Sequence, residues 1–314
     1  MTPLAVAAAI DLGSTTVHAP VAAHDGEVLH PLVDASAFLG LGDAVHDGAA
    51  LARPKLDELL ATLGSFAAQA SDLGAKQIVF LGTEPLRRAA NAASIVQAVI
   101  VATGWPLHVL SHEEEAWLTL IGVTGGRAVT HGTLVVDIGG GSSEFALVEP
   151  GREAVAAGLR VGAARLTRAH VRHDPATPAE VSAMLDSARE LLGDAPRAQP
   201  RELLGVGGTV TNLVKVHPAA AEDRTLTRDR LAEIRGILAR EPAIAAAERH
   251  TISPTRARLL PAGAVIVEAL LERYGLEAMR ASGGSLREGA VLALLHAGVA
   301  WRDRLPQLAR GWRA

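Results

Sequence analysis

No cysteine occurs in the 314-residue chain, so disulfides and thiolate metal sites are excluded, and the composition fits a reducing compartment. Aromatic residues are only 3% of the total, which implies a core of alanine, leucine and valine. It also argues against the stacked-aromatic platforms that bind single-stranded nucleic acid. Lysine is confined to positions 55, 76 and 215, so positive charge is carried almost wholly by arginine. Arginine suits bidentate recognition of phosphate, although a compositional bias of the genome would give the same excess. The formal net charge of −4 offers no global field for a polyanion, so an anionic ligand has to be held by local groups. No uncharged stretch approaches the ~20 residues of a membrane span. The most apolar run, "AGAVIVEALL", is interrupted by Glu268. The N-terminal "MTPLAVAAAIDLG" lacks a basic leader and contains Asp11, and reads as a first strand rather than a secretion signal. A cytoplasmic protein without membrane or nucleic-acid partners is expected.

What is present is 49% apolar and 20% charged sequence, long enough for two domains with sizeable cores. Strand and helix signals alternate, predicting an α/β protein. Strands are expected in "LAVAAAIDLG", "TVHAPVAA", "EVLHPLV", "KQIVFLGT" and "PLHVLS", and helices over 54–73, 88–103 and 112–123. The order then restarts with the strands "GTLVVDIGG", "SEFALVEP" and "REAVAAG". Helices are expected near 162–171 and 178–192, a strand in "RELLGVGGT" running into a helix, and further helices over 226–240, 254–274, 285–297 and 300–311, with a short strand in "EAMRASGG". The two openings align as an internal repeat: Asp11 with Asp137, Leu12 with Ile138, Gly13 with Gly139. Two similar domains facing across a cleft are therefore expected, residues 1–124 and 125–299, with a C-terminal helix over 300–314 packing back on the first.

The glycine turn "DIGGGSS" can act as an anion nest: Gly139, Gly140 and Gly141 let the backbone approach a ligand, and Ser142 and Ser143 add hydroxyls. Asp137 at the strand end can hold a hard cation. A plain glycine-rich hairpin is the alternative, and the repeat favours the phosphate reading. "GVGGTVTNL" opens a helix after a strand, which suits an anion, although Thr209 could instead cap that helix. In "SHEEEAWLTLIGV", Ser111 and Glu114 fit a capping box and Glu113 complements the helix dipole. Glu115 has no such local role and is the candidate general base, against the commoner outcome of a solvated acidic helix start. Arg87 and Arg88 follow a strand end, and Arg256 and Arg258 lie near another helix start; any of them could meet phosphate or water. Ser285 and Glu288 fit a second capping box. No zinc site is expected of the twelve histidines.

In this order, the segments "AIDLGSTTVH", "GTEPLRRAANA", "SHEEEAWLTLIGV", "LVVDIGGGSSE", "GLRVGAARLT", "GVGGTVTNL", "RARLLPAGAVIVEALLE" and "SGGSLREG" resemble the exopolyphosphatase/guanosine pentaphosphate phosphohydrolase family (Ppx/GppA) over almost the whole chain. The resemblance implies the actin-like (ribonuclease H-like) ATPase fold: two domains, each a mixed sheet flanked by helices, across a central cleft. It implies Mg²⁺, or a substitute such as Mn²⁺, on Asp11 and Asp137, and Glu115 as the base that activates water, with Glu144 assisting. Phosphate would lie on Gly13, Ser14, Thr15, Gly139 to Ser143, and Gly207, Gly208 and Thr209, with Arg87 and Arg256 neutralising charge. The expected reaction is release of terminal phosphate from inorganic polyphosphate. Alternatives are hydrolysis of guanosine pentaphosphate, a kinase of the same fold, or a non-catalytic polyphosphate or alarmone sensor. A homodimer is also implied. The chain departs from the family at Thr15 (commonly Asn), Pro20, Thr211 (lysine in many long members) and Gly283 (commonly Asp). Pro20 removes a ladder donor, so the second strand is expected to be irregular or at a sheet edge there.

Overall fold

The computed structural model describes residues 5–313. Its first sheet contains β1 (Ala5–Leu12), β2 (Thr16–His24), β3 (Leu29–Phe38), β4 (Gln77–Gly82) and β5 (Leu107–Val109), in the order β3-β2-β1-β4-β5. The second contains β6 (Thr133–Ile138), β7 (Ser143–Val148), β8 (Val155–Leu159), β9 (Glu202–Val206), β10 (Thr225–Thr227) and β11 (Ala278–Ala281), in the order β10-β11-β9-β6-β7-β8. Each sheet opens with an antiparallel meander of three strands, and the first of these also pairs in parallel with a later strand: β1 with β4, β6 with β9. The expected mixed sheets and internal repeat are thus both present. The parallel inner strands read as near-continuous apolar runs because helices cover them, and β4 is buried from Ile78 to Gly82. Against that background, Asp11 and Asp137 stand out as carboxylates near the C-terminal ends of the two central strands.

The chain divides into two compact units. Unit 1 takes the residues up to Gly126 together with Leu286–Leu308, and unit 2 takes Arg127–Ser285 with the residues from Ala309. Each has its own core, with Phe80 as the large buried aromatic of one and Phe145 of the other; aliphatic side chains fill most of the rest. The sequence expectation had kept 286–299 with the second domain. Instead, the helix Leu286–Ala297 packs on the helix His112–Thr124 of unit 1, so tightly that a Cβ on Gly289 would collide with the Leu118 carbonyl.

The helices expected over 300–311 and 226–240 change, and the expectation at Pro20 is met in one of its two forms. The continuous helix over 300–311 is only a helical turn at Gly298–Ala300 and a short helix at Leu305–Leu308. Gly298 has φ 58°, which ends the preceding helix, and Pro306 is tolerated only at a helix start. The predicted helix over 226–240 yields its first residues to β10, and begins where Thr227 accepts a hydrogen bond from the Arg230 N–H. At Pro20, β2 lies between β1 and β3, not at an edge. It is irregular, as expected: β1 pairing skips Ala19 and Pro20, and the β3 register shifts between Val21 and Ala22. No helix among the described residues is long and apolar enough to cross a membrane.

Candidate functional site

In unit 1 the residues Gly13 to Thr15 connect β1 to β2. The Gly13 N–H donates to the Thr16 carbonyl at 3.2 Å. The Ser14 carbonyl accepts from Gly42 at 2.7 Å, and the Thr15 carbonyl from Leu39 and Gly40, so the turn is anchored through its oxygens. The Ser14 hydroxyl donates to Glu84, at 3.2 Å. Asp11 faces His18 across the hairpin. Although Asp11 is partly exposed as a residue, its Oδ1 is buried and has no hydrogen-bond partner among the described residues. Burial pushes its pKa up to about 6, against the opposing pull of Arg287. Arg287 stands 3.6 Å from Asp34 as well. Within "SGGSLREG" no local signal gives Arg287 a role, because spacing does not reveal that its helix returns to unit 1.

The three adjacent glutamates separate as their local chemistry suggests. Ser111 and Glu114 form the reciprocal capping box, with Ser111 N–H to Glu114 at 2.8 Å and Glu114 N–H to Ser111 Oγ at 3.2 Å. Burial alone would raise the Glu114 carboxyl, but the Arg302 guanidinium and the Ser111 N–H outweigh it and hold the group below its ordinary range. Glu113 is exposed, and its own backbone N–H and the Ser111 hydroxyl lower it. Glu115 is buried and pairs with Arg87. The same guanidinium donates to the Leu110 carbonyl at 2.8 Å and lies 3.2 Å from His112 Nδ1. Arg87 is therefore committed to Glu115 rather than solvated, while Arg88 pairs with Glu84 and Arg258 with Asp174.

One turn beyond Glu115, Thr119 is 2% exposed and its hydroxyl has no partner among the described residues. An unpaired buried hydroxyl costs about 1–3 kcal/mol. Thr119→Val keeps the side-chain shape and is expected to stabilise unit 1 by about 1 kcal/mol, read as a higher denaturant midpoint. A lower midpoint would mean that the hydroxyl is hydrated or otherwise engaged.

Unit 2 repeats the hairpin. The Gly139 N–H donates to the Ser142 carbonyl at 3.0 Å, as Gly13 does to Thr16, and Asp137 faces Glu144 as Asp11 faces His18. A Cβ on Gly139 would lie 2.9 Å from the Ser142 carbonyl oxygen, so the turn needs glycine there for close approach. The carbonyls of Gly139 and Gly140 accept from Ala163 and Arg165 N–H, each at 3.0 Å, and the Gly141 carbonyl accepts from Arg165 Nε. Glu144 is buried and accepts from the Ser142 hydroxyl at 2.8 Å. Ser143 differs from its expected place in a phosphate nest: it is fully buried and donates to the Val161 carbonyl at 2.7 Å. It opens β7, where alternation places it on the opposite face of the sheet from Glu144.

The third glycine turn meets this hairpin from β9. Gly207 has φ +85°, and a Cβ there would strike Asp137 Oδ1. The helix Gly207–Val216 has Val206 as its N-cap and no side-chain cap, so Thr209 does not fill that role. An uncapped N-terminus of this kind leaves N–H groups for an anion. A Cβ on Gly208 would collide with the Arg256 guanidinium, and Gly208, Thr209 and Arg256 line a small hollow that is open to solvent. Unit 2 thus brings together Asp137, Glu144, the Gly139–Ser142 turn, Gly207 to Thr209 and Arg256; unit 1 holds Asp11, Gly13 to Thr15, Arg87 and Glu115. Among the described residues no cluster of three or more His, Asp or Glu could hold a metal ion. His108 and His112 do stand four apart, but one lies in β5 and the other starts a helix, so they do not share a helical face. Strand-end carboxylates suit Mg²⁺, which takes one or two protein carboxylates and completes its shell with water and phosphate. The partnerless Oδ1 of Asp11 fits such an ion.

The sequence profile of the Ppx/GppA phosphatase family matches residues 20–297. Exopolyphosphatase 1 of Mycobacterium tuberculosis is 29% identical over 299 residues, covering 91% of this chain and 87% of that protein. The guanosine-5'-triphosphate,3'-diphosphate pyrophosphatase of Vibrio cholerae is 28% identical over 293 residues, covering 92% of this chain but 59% of that protein. The crystal structure of the Aquifex aeolicus family member superposes with a TM-score of 0.83 at 24% identity, covering 94% of this chain and 98% of that one, and shares its fold.

Proposed function

The chain belongs to the Ppx/GppA phosphatase family, and on that premise we propose that it is a divalent-cation-dependent phosphohydrolase that removes terminal orthophosphate from inorganic polyphosphate. The observation that carries this reading is the state of Glu115, a buried carboxylate excluded from the helix cap and gripped by an arginine. Glu115 orients a water molecule and takes its proton as the water oxygen attacks the terminal phosphorus. The bond from that phosphorus to its bridging oxygen breaks, and the shortened chain leaves with the bridging oxygen. In-line phosphoryl transfer needs positioning and charge neutralisation more than covalent chemistry. The N–H groups of the glycine turns and of the Gly207–Val216 helix hold phosphate oxygens, Arg256 offsets their charge, Arg87 holds Glu115 in place, and Glu144 assists through the Ser142 hydroxyl. Each unit offers one carboxylate, Asp11 and Asp137, that would hold Mg²⁺ or Mn²⁺, and the ion would screen the phosphate charge.

Hydrolysis of guanosine pentaphosphate is the second reading, favoured by the similarity to the Vibrio cholerae protein. Phosphate release from both substrates, assayed side by side with Mg²⁺ and Mn²⁺, separates the two. Faster release from polyphosphate is expected. Release from guanosine pentaphosphate alone would establish the second reading, and none from either would overturn both.

A further inference from the structure

We propose that Arg302, in the C-terminal segment, is a positioning residue for Glu115: it clamps the first turn of the helix that presents the base. The inference rests on the reading of Glu115 as that base.

Arg302 lies 188 positions from Glu114, yet its guanidinium binds both Glu114 oxygens, with Nη2 to Oε2 at 2.9 Å. The same Nη2 donates to the Val109 carbonyl at 3.0 Å, and Nη1 reaches His108 Nδ1 at 3.4 Å. One side chain therefore ties the last residues of β5 to the first turn of the helix His112–Thr124. The segment is seated firmly: Trp301 is 2% exposed and stands edge-on to the His108 ring, with centroids 5.6 Å apart, and Leu305 and Leu308 are buried. The Glu114 carboxylate also receives the Ser111 N–H, so the cap and the clamp converge on one group. Glu115 is the next residue.

The junction is held from two directions. Arg87 grips Glu115 itself and the Leu110 carbonyl; Arg302 grips Glu114 and the Val109 carbonyl. Arg87 touches the base, whereas Arg302 reaches it only through the backbone that both glutamates share. First turns of helices fray because their N–H groups lack intrahelical partners. A base on a fraying turn loses the fixed direction that attack requires, and a displacement near 1 Å can cost about 100-fold in rate.

The test uses the full chain. Arg302→Met is expected to lower kcat on polyphosphate by about 10- to 100-fold with KM within about twofold, since the phosphate-binding groups are untouched. Arg302→Lys should recover part of the loss, because a lysine keeps the charge but not the two-pronged contact. Glu114→Gln should show a similar loss, and the double variant should be no worse than the poorer single one. Parental kcat in Arg302→Met, a rise in KM as large as the fall in kcat, or additive effects in the double variant would overturn the proposal. Hydrogen exchange at the amides of residues 111–115 reads the clamp without turnover. It should quicken in Arg302→Met; unchanged exchange overturns the clamp, and faster exchange with parental kcat overturns its catalytic consequence. Full turnover in Glu115→Gln would be a failure of the functional reading instead, and would leave the exchange result standing.

Discussion

Glu115→Gln should reduce phosphate release by about 10²- to 10⁴-fold, the range a general base contributes. Glutamine has nearly the same shape and keeps an oxygen for Arg87, so the helix start and its capping box, built from Ser111 and Glu114, stay in place. What is lost is the negative charge and the ability to accept a proton. The turns proposed to hold phosphate, Gly13 to Thr15 and Gly139 to Ser142, are untouched, so the decrease should fall in kcat with KM little changed. Melting curves provide the control, because the substitution leaves Arg87 with a weaker partner in a buried setting. Activity within tenfold of the parent, in a folded variant, would mean that another group activates the water. Glu144, hydrogen-bonded to Ser142, would then be the residue to test.

Asp11→Asn is expected to make the protein more stable at pH 8 while removing its response to divalent cations. Burial raises Asp11 from 3.8 to about 6. Between those values the folded protein binds the proton more tightly than the unfolded chain, so stability falls as pH rises through the window. Above about 6 the penalty is fully present, and below about 4 it is gone. Two pKa units correspond to about 3 kcal/mol; a neutral but still buried amide should recover about 1–3 kcal/mol of it at pH 8. The gain should shrink to nothing at pH 4. Added Mg²⁺ or Mn²⁺ gives the ionised carboxylate a partner and should raise the melting temperature of the parent but not of the variant. A variant that is less stable at pH 8, or a parent indifferent to both cations, would show that Asp11 is satisfied in some other way.

Much of the candidate site is legible in the sequence because its signals are local. A capping box is set by residues three apart, so "SHEEEA" separates Glu114 from Glu115 without any tertiary contact. The two D-x-G turns are likewise set by strand ends and short loops, and the paired Asp11 and Asp137 announced two related sheets in order. Proline at position 20 correctly marked an irregular ladder, but its place in the interior of the sheet depended on where β3 and β1 lay.

Other features were invisible for the same physical reason. Ser143 reads as a phosphate ligand next to Ser142, yet Ser143 is already in β7 and its hydroxyl meets Val161, whereas Ser142 stays in the turn and meets Glu144. Gly207 reads as part of a helix start, whereas its missing side chain also makes room for Asp137 from another strand. Nothing near Arg287 in the sequence points to Asp11, and nothing near Arg302 points to Glu114. By itself the sequence determined the strand ends, the glycine turns, the internal repeat and the identity of the spare glutamate, since these follow from contacts a few residues long. Only the tertiary structure decided which arginine meets which carboxylate, because that choice depends on where long-range packing returns the chain.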